Sequence, residues 1–121
     1  MHVSKVNEAH LNSFPGGTEA IRVLVGRHET AGAFKQHTVC LVELKVGASS
    51  TPHFHRDREE SYFVLSGDGE AVMDGQRVEV SAGVLLASRP GQRHHFVNTG
   101  SMPLRYLVFT APSWIPEDSH A

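Results

Sequence analysis

Three histidines and a glutamate are the residues of this sequence that can bind a metal together. His53 and His55 are two residues apart, so on an extended backbone both imidazoles project to the same side. Glu60 adds a carboxylate at the start of the next apolar stretch, and His94 begins a later one. Three neutral imidazoles and one carboxylate suit a first-row divalent ion and leave positions open for substrate. The sequence therefore predicts one divalent transition-metal ion per chain (Fe, Mn, Ni or Zn).

Alternatives exist for this ligand set. Two histidines this close are, taken alone, most often on a surface or in a turn, so the metal interpretation depends on Glu60 and His94. Glu59 competes with Glu60, but Glu60 shares the alternation of Tyr62 and is favoured. His95 should face away from His94 across its strand, where a packed or exposed role is expected.

Four further side chains are candidates for the lining of the site. Tyr62, Val64 and Phe96 have the same strand parity as the ligands, and Tyr62 can serve as a hydrogen-bond donor or general acid. His37 begins another strand and is a candidate base. The plainer alternatives are a core role for the first three and simple exposure for His37.

Arginines occur in the segments that carry the predicted ligands. They are Arg56, Arg58, Arg89 and Arg93. They can make the entrance attractive to an anionic substrate. Alternatively they form a solvated rim paired with Asp57 and Glu59, and this second interpretation is slightly preferred.

The composition is that of an ordinary globular chain. It has 121 residues, a formal charge of −2, 40% hydrophobic and 20% charged residues, which predicts one domain and no nucleic-acid partner. No apolar run approaches the roughly 18 residues of a membrane span, and the first residues lack the apolar stretch of a signal peptide. Cys40 is the single cysteine, so we expect no intrachain disulfide, a small buried thiol and a cytoplasmic location.

Short alternating runs separated by turn residues predict strands rather than helices. The predicted strands are residues 20–25, 38–46, 60–65, 70–73, 76–80, 84–87, 94–98 and 104–110. Asp74 and Gly75 supply the positive φ angles of a tight hairpin between two of them. Many short strands with turns between them indicate an all-β sandwich or closed barrel.

Three details of these strands can be checked against a structure. Residues 38–46 are expected to place alternate apolar side chains, as far as Val46, on one face. Residues 84–87 are apolar enough for burial on both faces. The last two strands are expected to pair around residues 99–101.

Both ends of the chain are less regular. Residues 14–17 predict a loop, and residues 111–116 a proline-bearing tail anchored on a surface by Trp114. Four histidines have no motif context, namely His2, His10, His28 and His120, and terminal histidines such as His120 are expected to be disordered.

The spacing of the candidate ligands resembles the two-part signature of the cupin superfamily. The first part, G(X)5HXH(X)3-4E(X)6G, is matched by Gly47, His53, His55, Glu60 and Gly67. The second part, G(X)5PXG(X)2H(X)3N, is matched in spacing by Gly83, Gly91, His94 and Asn98. Arg89 stands where the family usually has proline, and Pro90 follows it, which alters the turn but keeps the spacing up to the histidine.

The resemblance implies a cupin jelly-roll β-barrel, with residues 1–121 as a single domain whose core spans about residues 20–111. It also implies a homodimer, and one divalent ion at the family's ligand positions, here His53, His55, Glu60 and His94. Cupins catalyse many reactions, so the resemblance predicts fold and metal but no particular reaction.

The preferred functional interpretation is a metal-dependent enzyme acting on a small oxygen-rich organic substrate. Dioxygenase-like chemistry is ranked slightly ahead of isomerase, lyase or decarboxylase chemistry, with Tyr62 and His37 as the catalytic candidates. The alternative is a non-catalytic ligand-binding or sensor module. Open positions on the ion would favour the enzyme, and a filled coordination shell would favour the binding module.

Overall fold

The computed structural model describes residues 1–12 and 18–121, so the loop predicted at residues 14–17 lies outside the described part. Its strands are β1 (Leu11–Asn12), β2 (Glu19–Val25), β3 (Thr38–Leu44), β4 (Glu59–Ser66), β5 (Asp68–Met73), β6 (Gln76–Ser81), β7 (Leu85–Ser88), β8 (His94–Asn98) and β9 (Leu104–Ala111). The helical turns of the described residues are of the 3-10 type, at Val6–Glu8, Glu29–Ala31 and Pro116–Asp118. Within these ranges no helix is long and apolar enough to cross a membrane.

The strands form two antiparallel sheets. The larger has the order β1-β2-β3-β9-β4-β7, and the smaller has the order β6-β5-β8. From β4 onward the chain crosses repeatedly between the sheets, as in a jelly roll. The all-β jelly-roll prediction is confirmed, and the eight predicted strands recur with ends shifted by at most two residues.

The core lies between the sheets and takes side chains from both. Alternation along β4 and β9 turns Tyr62, Val64, Leu104 and Tyr106 inward. Phe96 reaches them from the smaller sheet and stacks on Tyr106 at a ring-centroid distance of 4.3 Å. Burying an apolar side chain of this size contributes about 1.5–3 kcal/mol to the free energy of folding. This apolar layer therefore stabilises the strands that also carry inward-pointing polar residues.

The hairpin predicted at Asp74 and Gly75 is confirmed. The two residues have φ angles of 49° and 81°, as a two-residue type I′ turn requires. Met73 of β5 pairs with Gln76 of β6 directly across the turn, and on its other side Met73 pairs with His94 of β8. The turn therefore sets which residues of the smaller sheet lie beside the candidate ligands.

The predicted pairing of the last two strands is wrong. β8 pairs with β5, whereas β9 lies between β3 and β4 in the larger sheet. The loop between them crosses from one sheet to the other and is held by Asn98. The Asn98 amide nitrogen donates to the carbonyls of Leu44 (3.0 Å) and Met102 (2.8 Å), and its oxygen accepts from the Gly100 N–H (3.0 Å). A buried side chain thus replaces the expected hairpin ladder.

Two predicted apolar faces are also wrong. β3 ends at Leu44, the chain turns at Gly47 (φ 79°), and Val46 is 56% exposed. Leu85 is 59% exposed and Ala87 is exposed, because these alternate positions point away from the core, whereas Leu86 and Ser88 point toward it. Apolar composition alone does not show whether one face of a strand or both faces are covered.

Candidate metal centre

The candidate ligands are positioned by strands or by strand-like pairing. Glu60 points inward from β4 in the larger sheet, and His94 points inward from β8 in the smaller one. His53 pairs with His94 as an antiparallel bridge, with N–O distances of 3.1 and 2.9 Å. Through this bridge, the segment that carries His53 and His55 lies beside β8 as a strand-like addition to the smaller sheet.

The other side of that segment is paired as well. Phe54 forms a second antiparallel bridge with His120, at 3.0 Å in both directions, and the two rings stack at a centroid distance of 5.1 Å. The expectation that His120 is disordered is therefore wrong, because a backbone pairing that the sequence does not announce orders this part of the tail.

The four candidate side chains come together in space. One possible ligand atom from each of His53, His55, Glu60 and His94 lies within 4.8 Å of all the others. Glu60 Oε1 is 3.2 Å from Nε2 of both His55 and His94. His53 is partly exposed and the other three are buried, so the group is most accessible at His53.

The orientation of the imidazoles fits a divalent ion. In each ring Nδ1 lies at hydrogen-bond distance from a backbone carbonyl: His53 and Thr51 (2.7 Å), His55 and Asp118 (2.7 Å), His94 and Gln92 (3.0 Å). Because a carbonyl only accepts, Nδ1 carries the proton and Nε2 keeps its lone pair. Nε2 of His55 and Nε2 of His94 are buried without a hydrogen-bond partner among the described residues. Buried lone pairs facing a carboxylate are satisfied when a cation joins them.

The Glu60 carboxylate is held by two hydroxyl groups. Tyr62 donates to Oε1 at 2.7 Å, and Thr110 donates to Oε2 at 2.5 Å. Thr110 faces Glu60 directly in the β4–β9 register. These hydrogen bonds fix the plane of the carboxylate before any ion binds.

The charges of the group influence one another. Burial, then the neighbouring His94, lowers the pKa of His53. Burial also opposes the charged form of His55, but the contact with Glu60 outweighs it and the pKa of His55 is raised. For Glu60, burial is outweighed by the contacts with His55 and His94, and its pKa lies below the ordinary range. A proton therefore competes with a metal at His55.

Tyr62 is next to the ligands rather than among them. Its hydroxyl donates to Glu60, lies 3.0 Å from the Ser88 hydroxyl, and its ring is 5.3 Å from that of His94. Burial, followed by the negative charge of Glu60, raises the pKa of Tyr62 above its ordinary value. The phenol therefore keeps its proton at neutral pH and is a candidate proton donor.

Cys40 is partly buried on β3. Burial and then the charge of Glu60 raise the pKa of its thiol to about 12. The thiol that was expected to be buried is thus only partly buried, and Cys40 is not among the metal-binding side chains that group together in the described residues.

The structure does not bring His37 to this group. His37 is exposed and packs edge-on against Phe34 at a centroid distance of 5.5 Å, so its proposed role as a base has no supporting contact. Glu59 is also exposed, and Glu60 occupies the site instead. His95 lies outside the group, beside Arg93 in a depression on the outer surface, as its strand parity predicts.

The arginine predictions need a correction. Arg58 belongs neither to an anion-attracting entrance nor to a solvated rim: its side chain is only 6% exposed and donates to Asp118 at 2.8 Å. Arg56, Arg89 and Arg93 are exposed. The C-terminal tail covers Arg58. The carboxylate partner of Arg58 is Asp118 rather than Asp57 or Glu59.

Sequence reasoning missed two contributors to the site. Asp118 supplies the carbonyl for His55 and the carboxylate for Arg58, and Thr110 orients Glu60. The inward parity of Thr110 on β9 was a usable signal. Asp118 gave none, because its contacts join positions far apart in the sequence. Trp114, the predicted anchor, is tied to the barrel through its backbone N–H, which donates to Thr38 Oγ1 at 2.8 Å.

A cleft opens between the free edges of β6 and β7. Its lining residues are Ala71, Met73, Asp74, Gln76, Val78, Leu86, Ala87 and Gln92. Met73 pairs with His94, and Leu86 pairs with Tyr62, in the strand registers. The cleft therefore lies alongside the strands that carry the candidate ligands.

Comparisons with known proteins agree with this architecture. The sequence pattern of the cupin domain matches residues 40–110, more than half of the chain. An uncharacterised protein of Methanocaldococcus jannaschii is 32% identical over 74 residues, which are 61% of this chain and 59% of that protein. An oxalate-binding protein of Thermotoga maritima is 25% identical over 105 residues, which are 87% of each chain.

Solved structures share the fold. Pac13 of Streptomyces, described as a nucleoside dehydratase, superposes with a TM-score of 0.80 at 21% identity, over 100% of this chain and 91% of that one. Identity this low supports the fold and not the activity. With the jelly-roll sheets, the four converging side chains and the match to the domain pattern, this chain belongs to the cupin family.

Proposed function

We propose that this chain is a metal-dependent cupin enzyme that acts on a small oxygen-bearing organic molecule. The observation that carries the proposal is the pair of buried, unpartnered Nε2 atoms of His55 and His94 beside the Glu60 carboxylate. His53, His55, Glu60 and His94 would hold one divalent ion, Fe, Mn, Ni or Zn. Such an ion supplies a Lewis acid with positions left for substrate oxygens.

The cleft between β6 and β7 supports a neutral substrate. Its walls are mostly apolar, and Gln76 adds an exposed amide at the rim. The amide of Gln92 is already used, because it accepts from the Arg89 N–H at 2.8 Å and donates to Asp74 at 3.3 Å. The one charged group among the lining residues, Asp74, is a carboxylate, which repels anions. A neutral hydroxy, keto or phenolic compound fits this lining better than a dianion such as oxalate.

Tyr62 supports proton-transfer chemistry at the centre. Its hydroxyl donates to the Glu60 carboxylate and lies 3.0 Å from the Ser88 hydroxyl, so a proton given to a leaving oxygen can be replaced through Ser88. His37, the other catalytic candidate, packs against Phe34 and does not share this role. This supports a non-redox lyase or isomerase reaction ahead of the dioxygenase branch that the sequence slightly favoured.

The test is a metal-reconstituted assay against a panel of small compounds. The panel contains neutral hydroxy, keto and phenolic molecules together with oxalate, and each is tested with and without oxygen. We expect turnover of a neutral compound that survives anaerobiosis and disappears with Glu60→Ala. Oxygen-dependent turnover would restore the dioxygenase branch, and a preference for oxalate would contradict the neutral substrate.

A non-catalytic binding module is the second candidate. The observation that favours it is the relative named as an oxalate-binding protein, which aligns over 87% of this chain. Binding modules hold their ligand at stoichiometric amounts without product. Calorimetric saturation by one ligand, with no chemical change to it over prolonged incubation, would favour this function over the enzyme.

A further inference from the structure

Asp118 belongs to the C-terminal tail, and its carboxylate is buried against the loop that follows His55. Oδ1 accepts from the Arg56 N–H at 2.8 Å, and Oδ2 accepts from the Asp57 N–H at 3.1 Å and from Arg58 Nη1 at 2.8 Å. The side chains of Arg58 and Asp118 are each 6% exposed. Charge-assisted hydrogen bonds of this kind are short and directional, so the carboxylate has one well-defined position.

Arg58 ties the tail to the barrel at a second point. Its Nε donates to the Ser113 carbonyl at 3.0 Å, while its Nη1 donates to Asp118. One guanidinium therefore spans the tail from Ser113 to Asp118. Removing the Asp118 charge would leave the buried Arg58 guanidinium without its carboxylate partner, which is unfavourable.

The backbone of Asp118 faces the opposite way, toward the metal centre. Its carbonyl accepts from His55 Nδ1 at 2.7 Å. The same residue thus grips the loop at positions 56–58 with its side chain and the His55 ring with its main chain. Because the side chain fixes the residue, it also fixes the acceptor that selects the tautomer of His55.

We propose that Asp118 is a positioning residue of the candidate metal centre. The contacts of its carboxylate with residues 56–58, here called the latch, hold His55 with Nε2 directed at the ion. The role rests on the ligand set of the proposed function and extends it to the C-terminal tail. When the latch is removed, the Asp118 carbonyl is no longer held against Nδ1. The His55 ring then exchanges tautomers and orientations, and the centre binds metal more weakly.

The test measures zinc binding and imidazole tautomers in the purified full chain. Zinc affinity is measured by calorimetry, and the ring nitrogens are observed by NMR of the metal-free, 15N-histidine-labelled protein. We expect Asp118→Ala to weaken zinc binding about 10–100-fold, the usual range for a residue that supports a ligand. In the same variant only His55 should lose its fixed Nδ1–H form, while His53 and His94 keep theirs.

Two variants keep the result interpretable. Glu117→Ala, at the exposed neighbouring position of the same turn, should match the wild type. Asp118→Asn retains the acceptor for the Arg56 N–H and should fall between wild type and Asp118→Ala, and it decides the matter if the alanine variant does not fold. Wild-type zinc affinity with unchanged His55 signals, or equal disturbance of all three rings, would overturn the proposal. Turnover is not a readout, so an inactive protein with an intact latch contradicts only the enzyme proposal.

Discussion

The histidines of the candidate metal centre are supported in two different ways. His53 and His94 each donate to the carbonyl two residues earlier, at 2.7 and 3.0 Å. His55 donates to Asp118, which is 63 residues away in the sequence. The first kind of support is complete once a short stretch is extended, whereas the second exists only when the tail is docked. Two ligands are therefore local in origin, and one depends on the tertiary structure.

The difference matters for the order in which the site is assembled. The strand pairing of His53 with His94 can form together with the barrel, because both partners belong to its sheet system. The support of His55 forms only when the C-terminal tail docks and brings Asp118 to it, and ordering a chain segment costs conformational entropy. The tail is thus the region through which the metal centre is most easily weakened without changing a ligand.

Removal of a candidate ligand should have the largest effect on metal binding. The effect should be equally large for the ligands that are held locally and for the one that is held by the tail. His53→Ala, His55→Ala, Glu60→Ala and His94→Ala should each leave the purified protein without bound metal by elemental analysis. Wild type should gain about 2.7 kcal/mol of stability when free metal exceeds Kd 100-fold, and these variants should gain nothing.

The matched control for these variants is His95→Ala. It should retain metal, because His95 lies on the outer surface. Loss of metal from His95→Ala, with retention in His94→Ala, would contradict the assignment of ligands in β8.

Loss of the Tyr62 hydroxyl should separate holding the ion from using it. Tyr62→Phe should keep metal, since Thr110 still orients the Glu60 carboxylate. It should lower kcat about 10²–10⁴-fold, the usual contribution of a positioned proton donor. A variant that lost both metal and activity would show that the phenol is needed to hold Glu60 rather than to transfer a proton.

The local part of this molecule was open to prediction from sequence. Alternating apolar residues marked the strands, Asp74 and Gly75 marked the hairpin, and the spacing of the histidines and Glu60 marked the group that the structure brings together. Apart from His94, which was joined to the group by the two-part spacing of the cupin signature, each of these signals depends on neighbours within a few residues. The exposure of Leu85 left no such signal, because it depends on what packs on the outer face of the sheet.

The remote part could not be predicted for the same physical reason. Arg58 pairs with Asp118, and Phe54 pairs with His120, but neither pair has a sequence spacing that distinguishes it from other combinations. Arg58 looked like one more exposed charge in a ligand-bearing loop. Its burial follows from the path of the tail, which is a property of the whole fold.

Weakening the attachment of the tail at Thr38 should have a moderate effect on stability and on zinc affinity. It should also show whether the contacts of Asp118 alone set the position of His55. Thr38 Oγ1 accepts from the Trp114 N–H at 2.8 Å and lies 2.8 Å from the Ser113 hydroxyl. Thr38→Val leaves these buried groups without a partner, at a cost of about 1–3 kcal/mol, measurable by urea denaturation. Zinc affinity should fall less than in Asp118→Ala. An equal fall would mean that the whole tail, and not Asp118, sets the position of His55.

The smallest expected effect is the pH dependence of the latch, measured on metal-free protein. Although burial opposes its charge, the Arg56 N–H and Arg58 hold the pKa of Asp118 well below its ordinary value. An unfolded aspartate titrates near pH ~3.9. The stabilisation by Asp118 is therefore complete above that pH, and it is lost as the pH falls through the lower pKa of the folded state. The Asp118 charge also acts on His55 and lies 3.2 Å from His120 Nε2, so the comparison is made between about pH 5 and pH 2, below the ordinary histidine pKa of ~6.5. In this range the Tm difference between wild type and Asp118→Asn should shrink as the pH falls. A difference that grew on acidification would contradict the ion pair as the source of the tail's attachment.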